Sequence, residues 1–326
     1  MRLRRSSPAE PGIRRRVQGR GFSYAGPTGE PVDDETTERI RALGIPPAWT
    51  DVWICASPHG HLQAVGTDSA GRLQYLYHPE WTARRDVAKF YRMLRFAAAL
   101  PRARRRASTH LRDREPSRRR ALACAFRIMD SALVRTGSEE YARSSGSRGL
   151  ATMPRRAVTL TGSEVRLTFR GKSGVEHDLR IDDAALAEAL APLVDRSGGG
   201  GRARLLAYRD GSTWCEIRSA DINAYVKDVV GEEFTAKDFR TWHATVAAAE
   251  ALMATEPPTS RRALVAATRA ASEEAAERLG NSAAVARRSY IDPRLFELAA
   301  RHRLPRPGRR STEAVVREVL GGNATG

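Results

Sequence analysis

Alternating apolar and polar residues dominate the segment that follows residue 20. Three short runs, "DVWICASP", "HLQAVGTD" and "RLQYLYHP", are rich in Val, Ile, Trp and Tyr and are separated by Gly, Ser and Asp residues typical of turns. A run from about 79 to 100 then carries apolar residues at helical spacing. The pattern predicts a small β-rich domain over 21–100 whose last element is a helix.

Beyond residue 118 the apolar spacing becomes mainly helical. In contrast, "AVTLTGSEVRLTFRGKSGVEHDLRI" alternates on both sides of a Gly-Lys-Ser-Gly turn, which predicts a β-hairpin or small sheet with Lys172 at its tip. The fold class expected is therefore α+β, with a mainly α-helical second domain over 119–303. Its predicted helices cover about 116–135, 182–195, 219–230, 236–255, 259–279 and 292–302.

Some segments show no hydrophobic period. Residues 1–20 contain seven arginines and one glutamate, which predicts a disordered basic arm. The charge run at 101–118 is interpreted as a basic linker or hinge between the domains, and "SGGGGR" at 197–202 as a flexible surface loop. Residues 304–326 are assigned to a C-terminal tail.

Charge points to a polyanionic partner. Lys plus Arg number 55 against 38 Asp plus Glu, a formal net charge of +17, and nucleic acid is the commonest partner for such an excess. An anionic membrane surface is the rival, but no apolar run approaches the ~18 residues of a spanning helix, and no signal-peptide core follows the first arginines. Three widely spaced cysteines argue against a disulfide framework and predict a cytoplasmic location.

Nothing in the sequence indicates a cofactor. His59 and His61 form the closest histidine pair, but no further ligands cluster with them, so no metal site is predicted. The "GKS" at 171–173 matches the end of a phosphate-binding loop, yet Arg166 stands where that motif requires glycine. Nucleotide triphosphate chemistry is therefore not expected.

Several basic residues recur at positions where each, alone, has an ordinary explanation. One follows an apolar helix in "IMDSALVRTGSEEYA", one lies at the hairpin tip, and two lie three apart in "FTAKDFRTWHAT", on one side of a helix. A tyrosine in "LGNSAAVARRSYIDP" follows an asparagine by nine positions. In chain order these residues are Arg135, Lys172, Lys237, Arg240, Asn281 and Tyr290.

This order resembles that of the type IB DNA topoisomerases, most closely the short bacterial and poxvirus-type enzymes. The segment that begins "LGIPPAWTDVW" is similar to their amino-terminal DNA-clamping domain, and the resemblance extends from about Gly21 to about Arg303. It implies that a monomer closes around double-stranded DNA as a C-shaped clamp. It also implies that the enzyme cleaves one strand transiently and relaxes positive and negative supercoils without ATP or metal.

The resemblance also implies roles for the site residues. Tyr290 is the nucleophile that forms a 3′-phosphotyrosyl intermediate, and Lys172 is the general acid for the leaving 5′-oxygen. Arginine suits the scissile phosphate because its planar fork can bond two phosphate oxygens. Asn281 stands where many members have histidine, so it can donate a hydrogen bond but cannot exchange a proton near neutral pH. The residues assigned to the phosphate are Arg135 and Arg240, assisted by Lys237.

In the amino-terminal domain, Tyr75 and Tyr77 lie two apart in "LQYLYHP" and so share one face of a strand. The pattern alone also fits two half-buried aromatic rings. The resemblance places them, with Gln74, against DNA in the major groove, where glutamine can pair with adenine.

Two other functions stay open. Tyrosine site-specific recombinases share the catalytic fold, but they usually carry His-x-x-Arg where this chain has Lys237 and Arg240, and their amino-terminal domain is helical. A non-catalytic basic DNA-binding protein would explain the charge, with the ordered site residues a coincidence or a relic. His243 is not in register with the family histidine and is interpreted as structural.

Overall fold

The computed structural model describes residues 2–198, 200–306 and 308–322. The chain divides into two units, residues 1–90 and 91–326. The first is built on an antiparallel sheet and the second is mainly helical, which confirms the predicted α+β class.

Five antiparallel strands form the sheet of the first unit, in the order β2-β1-β3-β4-β5. Helix α1 (Asp34–Ala42) is capped by Asp33, whose carboxylate accepts a hydrogen bond from the Thr36 backbone N–H at 2.7 Å. The apolar core of the unit contains Ile40 of this helix together with Ile13 and Ile54 of the sheet. The strands are β1 (Ile13–Gln18), β2 (Gly21–Ala25), β3 (Thr50–Ile54), β4 (Leu62–Thr67) and β5 (Leu73–Tyr77).

The basic segment at the N-terminus differs from its prediction. Residues 13–18, within the arm expected to be disordered, form β1, which pairs with both β2 and β3. Arg15 explains why a charged segment is ordered here. Its guanidinium donates to the carbonyls of Pro46 at 3.1 Å and Trp49 at 2.5 Å and lies 4.1 Å from the centre of the Phe22 ring.

The predicted linker at 101–118 also differs. Helix α2 runs from Pro79 to Leu111, so most of the charge run is helical, and the boundary between the two units falls inside this helix. Leu100, Ala103, Ala107 and Leu111 are at most 3% exposed and recur at helical spacing. The arginines between them hid this apolar stripe in the sequence.

The second unit contains three short antiparallel strands in one sheet, β6-β7-β8, and a separate hairpin, β9-β10, that the sequence did not suggest. The predicted helices are present to within a few residues of their expected ends. The elements are α3 (Arg118–Ala132), α4 (Glu139–Ser144), β6 (Val158–Thr161), β7 (Glu164–Arg170), β8 (Glu176–Asp182), α5 (Ala184–Val194), β9 (Ala207–Asp210), β10 (Thr213–Glu216), α6 (Ser219–Val230), α7 (Ala236–Met253), α8 (Arg261–Leu279), α9 (Ala283–Ser289), α10 (Arg294–Ala300) and α11 (Thr312–Gly321).

Helix α7 lies at the centre of the second unit. Its Phe239 and Trp242 are at most 1% exposed, and the Phe239 ring packs edge-on against Phe96 of α2 at 4.9 Å and Phe126 of α3 at 5.1 Å. These aromatic contacts add to the area that the rings bury. The helix that carries Lys237 and Arg240 is therefore fixed in place by its aromatic contacts with α2 and α3.

Two segments that the sequence left unstructured are ordered by contacts with the rest of the second unit. The C-terminal tail contains α11, whose Val315, Val316 and Leu320 are fully buried. Around the loop predicted to be flexible, Arg155 donates to the carbonyls of Gly198 and Gly200 at 2.5 and 2.6 Å. In both cases the contacts come from residues distant in sequence, so no local sequence pattern predicts them.

Candidate active site

Arg240 joins three helices at one point. Its side chain is 5% exposed, and its two terminal nitrogens donate to the carbonyls of Leu133 at 2.7 Å and Leu279 at 2.8 Å. Those carbonyls belong to the C-terminal ends of α3 and α8, where the last carbonyls lack partners within the helix. Arg240 therefore fixes the ends of α3 and α8 against α7.

The Arg240 guanidinium also keeps unused donors. Two of its five N–H groups reach these carbonyls, and the buried Nε has no hydrogen-bond partner among the described residues. Burial, and then the charge of Arg135, lower the pKa of Arg240 to about 10, so it remains a cation at neutral pH. A buried cation with unpaired donors favours an anion beside it.

Arg135 and Asn281 meet through the turns that end α3 and α8. Leu133 and Gly280 adopt left-handed conformations, with φ of 56° and 59°, and so stop the two helices. Beyond these turns, Arg135 Nη2 donates to Asn281 Oδ1 at 2.8 Å. Asn281 Nδ2 is buried and has no partner within the described parts of the chain, so its N–H groups are available to an acceptor.

Tyr290 ends α9 and is held by α7 through its backbone. Its N–H donates to the Ala286 carbonyl at 2.9 Å, and its own carbonyl lies 3.2 Å from the Thr245 hydroxyl. The same hydroxyl accepts from the Asp292 backbone N–H at 3.1 Å. The guanidinium carbon of Arg240 lies 5.3 Å from the centre of the Tyr290 ring.

The electrostatic environment of Tyr290 favours ionisation. Burial alone raises the pKa of the phenol, because it penalises the charged form. Arg240, and more weakly Arg135 and Lys237, lower it by more, so the pKa of Tyr290 lies below the ordinary value of 10. A greater fraction is therefore phenolate near neutral pH than for a free tyrosine.

The two lysines are exposed on the rim of this site. Lys172 begins a 3₁₀ turn between β7 and β8, in which Ser173 and Gly174 have φ of 62° and 76°. Lys172 lines the same cavity as Arg135 and Arg240, and the described lining of that cavity contains no acidic side chain. Lys237, one turn before Arg240 on α7, acts on Tyr290 through its charge.

The six site residues predicted from the sequence thus lie together in the second unit. Arg135, Lys172 and Arg240 line one cavity, Asn281 is bonded to Arg135, and Tyr290 is close enough to Arg240 and Lys237 for their charges to lower its pKa. Their catalytic roles remain predictions. Gln74, Tyr75 and Tyr77 belong to the first unit. The rings of Tyr75 and Tyr77 are stacked 6.3 Å apart and exposed on one face of β5, whereas Gln74 points to the other face and donates to Asp68 at 2.9 Å.

Three basic residues that line the cavity were not singled out from the sequence: Arg148, His177 and Arg278. For His177 a signal was present: the hairpin pairs it with Phe169, on the strand that leads to Lys172. His243, interpreted as structural, has its Nε2 2.9 Å from an Asp130 carboxylate oxygen. Asp130 is also bound by Arg104 at 2.7 Å, so this histidine belongs to a packed ionic network.

Of the histidine pair considered for metal, His61 is engaged in packing and His59 is exposed. His61 Nδ1 accepts from the Ser6 backbone N–H at 3.1 Å, and its ring lies edge-on to Trp81 at 4.7 Å. In the described parts of the chain, no group of three or more His, Cys, Asp or Glu side chains could hold a metal ion. No helix in the described ranges combines the length and apolar character needed to cross a membrane.

Comparison with known proteins adds three similarities. Residues 78–298 match the family model of the catalytic core of eukaryotic DNA topoisomerase I. Residues 21–68 match that of the N-terminal domain of bacterial DNA topoisomerase IB. The chain is also 30% identical to DNA topoisomerase 1B of Acanthamoeba polyphaga mimivirus over 299 residues, and this alignment covers 88% of the chain and 87% of the viral protein.

Proposed function

The chain belongs to the type IB DNA topoisomerases, and from that premise we propose that it relaxes positive and negative supercoils by cleaving and rejoining one strand of double-stranded DNA. The observation that carries the proposal is the buried Arg240 guanidinium, which lies beside Tyr290 and has a donor that no described residue uses. A phosphodiester placed beside both side chains would meet a nucleophile and a cation.

In the cleavage step, the phenolate oxygen of Tyr290 attacks the scissile phosphorus. A bond forms between this oxygen and phosphorus while the bond from phosphorus to the 5′-oxygen breaks. The phenolic proton is lost to solvent, which the lowered pKa of Tyr290 assists. The product is a 3′-phosphotyrosyl enzyme and a free 5′-hydroxyl.

Negative charge builds on the non-bridging oxygens as the pentavalent transition state forms. Arg135 and Arg240 are directed at that charge, and Asn281 contributes a neutral donor through Nδ2. Preorganised donors of this kind are the largest single catalytic contribution in most enzymes, and losing one typically costs about 10²–10³ in rate. The Arg135–Asn281 hydrogen bond orients both side chains before DNA binds.

The leaving 5′-oxygen needs a proton because an alkoxide is a poor leaving group. Lys172, at the tip of the hairpin and on the same cavity, is assigned as the general acid. Lys237 assists through its charge near Tyr290. The reverse reaction rejoins the strand, because the phosphotyrosyl bond conserves the energy of the phosphodiester, so no ATP is required.

DNA is the substrate, and its backbone fits the formal net charge of +17. The exposed, stacked rings of Tyr75 and Tyr77 are proposed to contact DNA in the first unit. Gln74 lies on the other face of β5, bonded to Asp68, so a contact with adenine would require it to leave that bond. The enzyme is proposed to act as a monomer, since one copy of the chain contains every residue assigned to the chemistry.

The test is relaxation of supercoiled plasmid in the presence of EDTA and the absence of ATP. Wild type is expected to relax both signs of supercoil, and Tyr290→Phe is expected to bind DNA without relaxing it. Tyr141→Phe, which removes a hydroxyl from an exposed ring outside the cavity, is the matched control and should relax normally. A folded wild type that binds DNA without relaxing it would contradict the proposal and favour a recombinase or a non-catalytic protein.

A further inference from the structure

His177 lies inside the site without a role in the chemistry proposed above. It is paired with Phe169 across β7 and β8, and the two rings are stacked 4.9 Å apart with 18° between their planes. It lines the cavity shared by Arg135, Lys172 and Arg240. Neither ring nitrogen has a hydrogen-bond partner among the described residues, so the ring is held by packing.

Two glycines on different segments meet this ring. A Cβ atom added to Gly171 would lie 2.6 Å from Cδ2 and Nε2 of His177, and one added to Gly280 would lie 2.4 Å from Cε1. Real Cβ atoms essentially never approach so closely. The imidazole therefore fills the space between the Gly171 and Gly280 backbones.

The neighbours of these glycines are the residues assigned to the chemistry. Gly171 precedes Lys172, and Gly280 precedes Asn281, which binds Arg135. The His177 ring thus occupies the gap between the hairpin that carries the general acid and the turn that carries the phosphate donors. The φ of Gly171 is −91°, which any residue can adopt, so crowding by His177 is what excludes a larger residue there.

We infer that His177 is a positioning residue that places Lys172 for protonation of the leaving 5′-oxygen; this inference rests on the proposed function. Burial, followed by the charges of Arg135 and Arg240, lowers the pKa of His177 from its ordinary value, which favours the neutral ring. A neutral ring packs between two backbone segments without repelling the cations around it. A displacement of about 1 Å at such a site can cost ~10² in rate.

The experiment compares single-turnover cleavage of two duplexes, one with the normal 5′-bridging oxygen and one with a 5′-bridging sulfur at the scissile phosphate. A thiolate leaves without a proton, so the sulfur substrate does not need Lys172. His177→Ala is expected to slow cleavage of the oxygen substrate by about 10–100-fold and of the sulfur substrate by only a few-fold. Lys172→Ala should show the same selectivity, and adding His177→Ala to it should cost little more.

Gly171→Ala provides a second route to the same displacement, and it keeps the inference testable if His177→Ala does not fold. Its methyl group would push on the imidazole, so the same selective loss is expected. Combining it with His177→Ala removes the clash, and the double variant should be no slower than His177→Ala alone. His302→Asn, which changes an exposed histidine away from the cavity, should leave both rates unchanged.

Equal losses on the two substrates, or no loss on either, would overturn the inference while the proposed function stands. If wild type cleaves neither duplex, the proposed function itself fails and the inference falls with it. A circular-dichroism melt and a DNA-binding measurement on each variant separate these outcomes from misfolding.

Discussion

Replacing Arg240 by alanine tests whether this buried cation serves the chemistry or only the fold. The change leaves the carbonyls of Leu133 and Leu279 without their donors, at a cost of about 1–3 kcal/mol each. It also removes the cost of burying the cation. The depression of the Arg240 pKa from 12.5 to about 10 corresponds to roughly 3 kcal/mol at 1.36 kcal/mol per pKa unit.

These opposing contributions largely cancel. The expected change in the free energy of unfolding lies between a gain of about 1 kcal/mol and a loss of about 3 kcal/mol, so the variant should remain folded at 25 °C. Its activity should fall much further, by at least about 10²–10³, because the donors directed at the phosphate disappear. Arg240→Lys keeps the charge but not the fork, so it should also be slow.

The assay pairs urea denaturation with single-turnover cleavage of a duplex oligonucleotide. Arg120→Ala is the matched control: Arg120 is a buried arginine of α3, outside the cavity, whose terminal Nη2 and Nη1 donate to the carbonyls of Glu188 at 2.9 Å and Asp113 at 2.6 Å. It should lose at least as much stability, because its Nε also donates to the Ala189 carbonyl at 3.2 Å, and it should keep its cleavage rate. The reasoning is refuted if Arg240→Ala cleaves within about tenfold of wild type, or if both variants lose activity only in proportion to their unfolded fraction.

Three further predictions follow from single contacts. Thr245→Val removes the hydroxyl beside the Tyr290 carbonyl and should slow cleavage about tenfold while destabilising the fold by about 1–3 kcal/mol, measured by cleavage kinetics and urea denaturation. Asn281→Ala removes the buried amide donor and should slow cleavage by about 10²–10³ with DNA binding unchanged, and a loss under tenfold would contradict its assignment. A tyrosinate absorbance titration should show a transition below pH 10 that is absent in Tyr290→Phe, whereas Tyr225, whose pKa is raised by burial, should ionise later.

The sequence predicted most elements that depend on local pattern. The apolar period of α6 and α8 is visible because each buries one stripe against the core, and the alternation of β7 and β8 is visible because they share one buried face. The set of site residues comes from their order along the chain, which resembles that of a known family; the fold brings the six together, and their roles remain predictions. The failures of the sequence prediction in the second half of α2 and at α11 lie where ordering depends on partners remote in sequence. The prediction also missed two local pairings, that of β1 with β2 and the β9–β10 hairpin.

Arginine side chains account for most of the order that the sequence pattern did not predict. A charge run was interpreted as a solvated segment, but in this chain Arg15, Arg155 and Arg240 donate to backbone carbonyls of distant turns and helix ends. A guanidinium has five donors and can satisfy several carbonyls that no local residue reaches, so it can act as a structural crosslink. Arg240 combines this use with an unpaired Nε, and only the folded chain reveals that a donor remains for the phosphate.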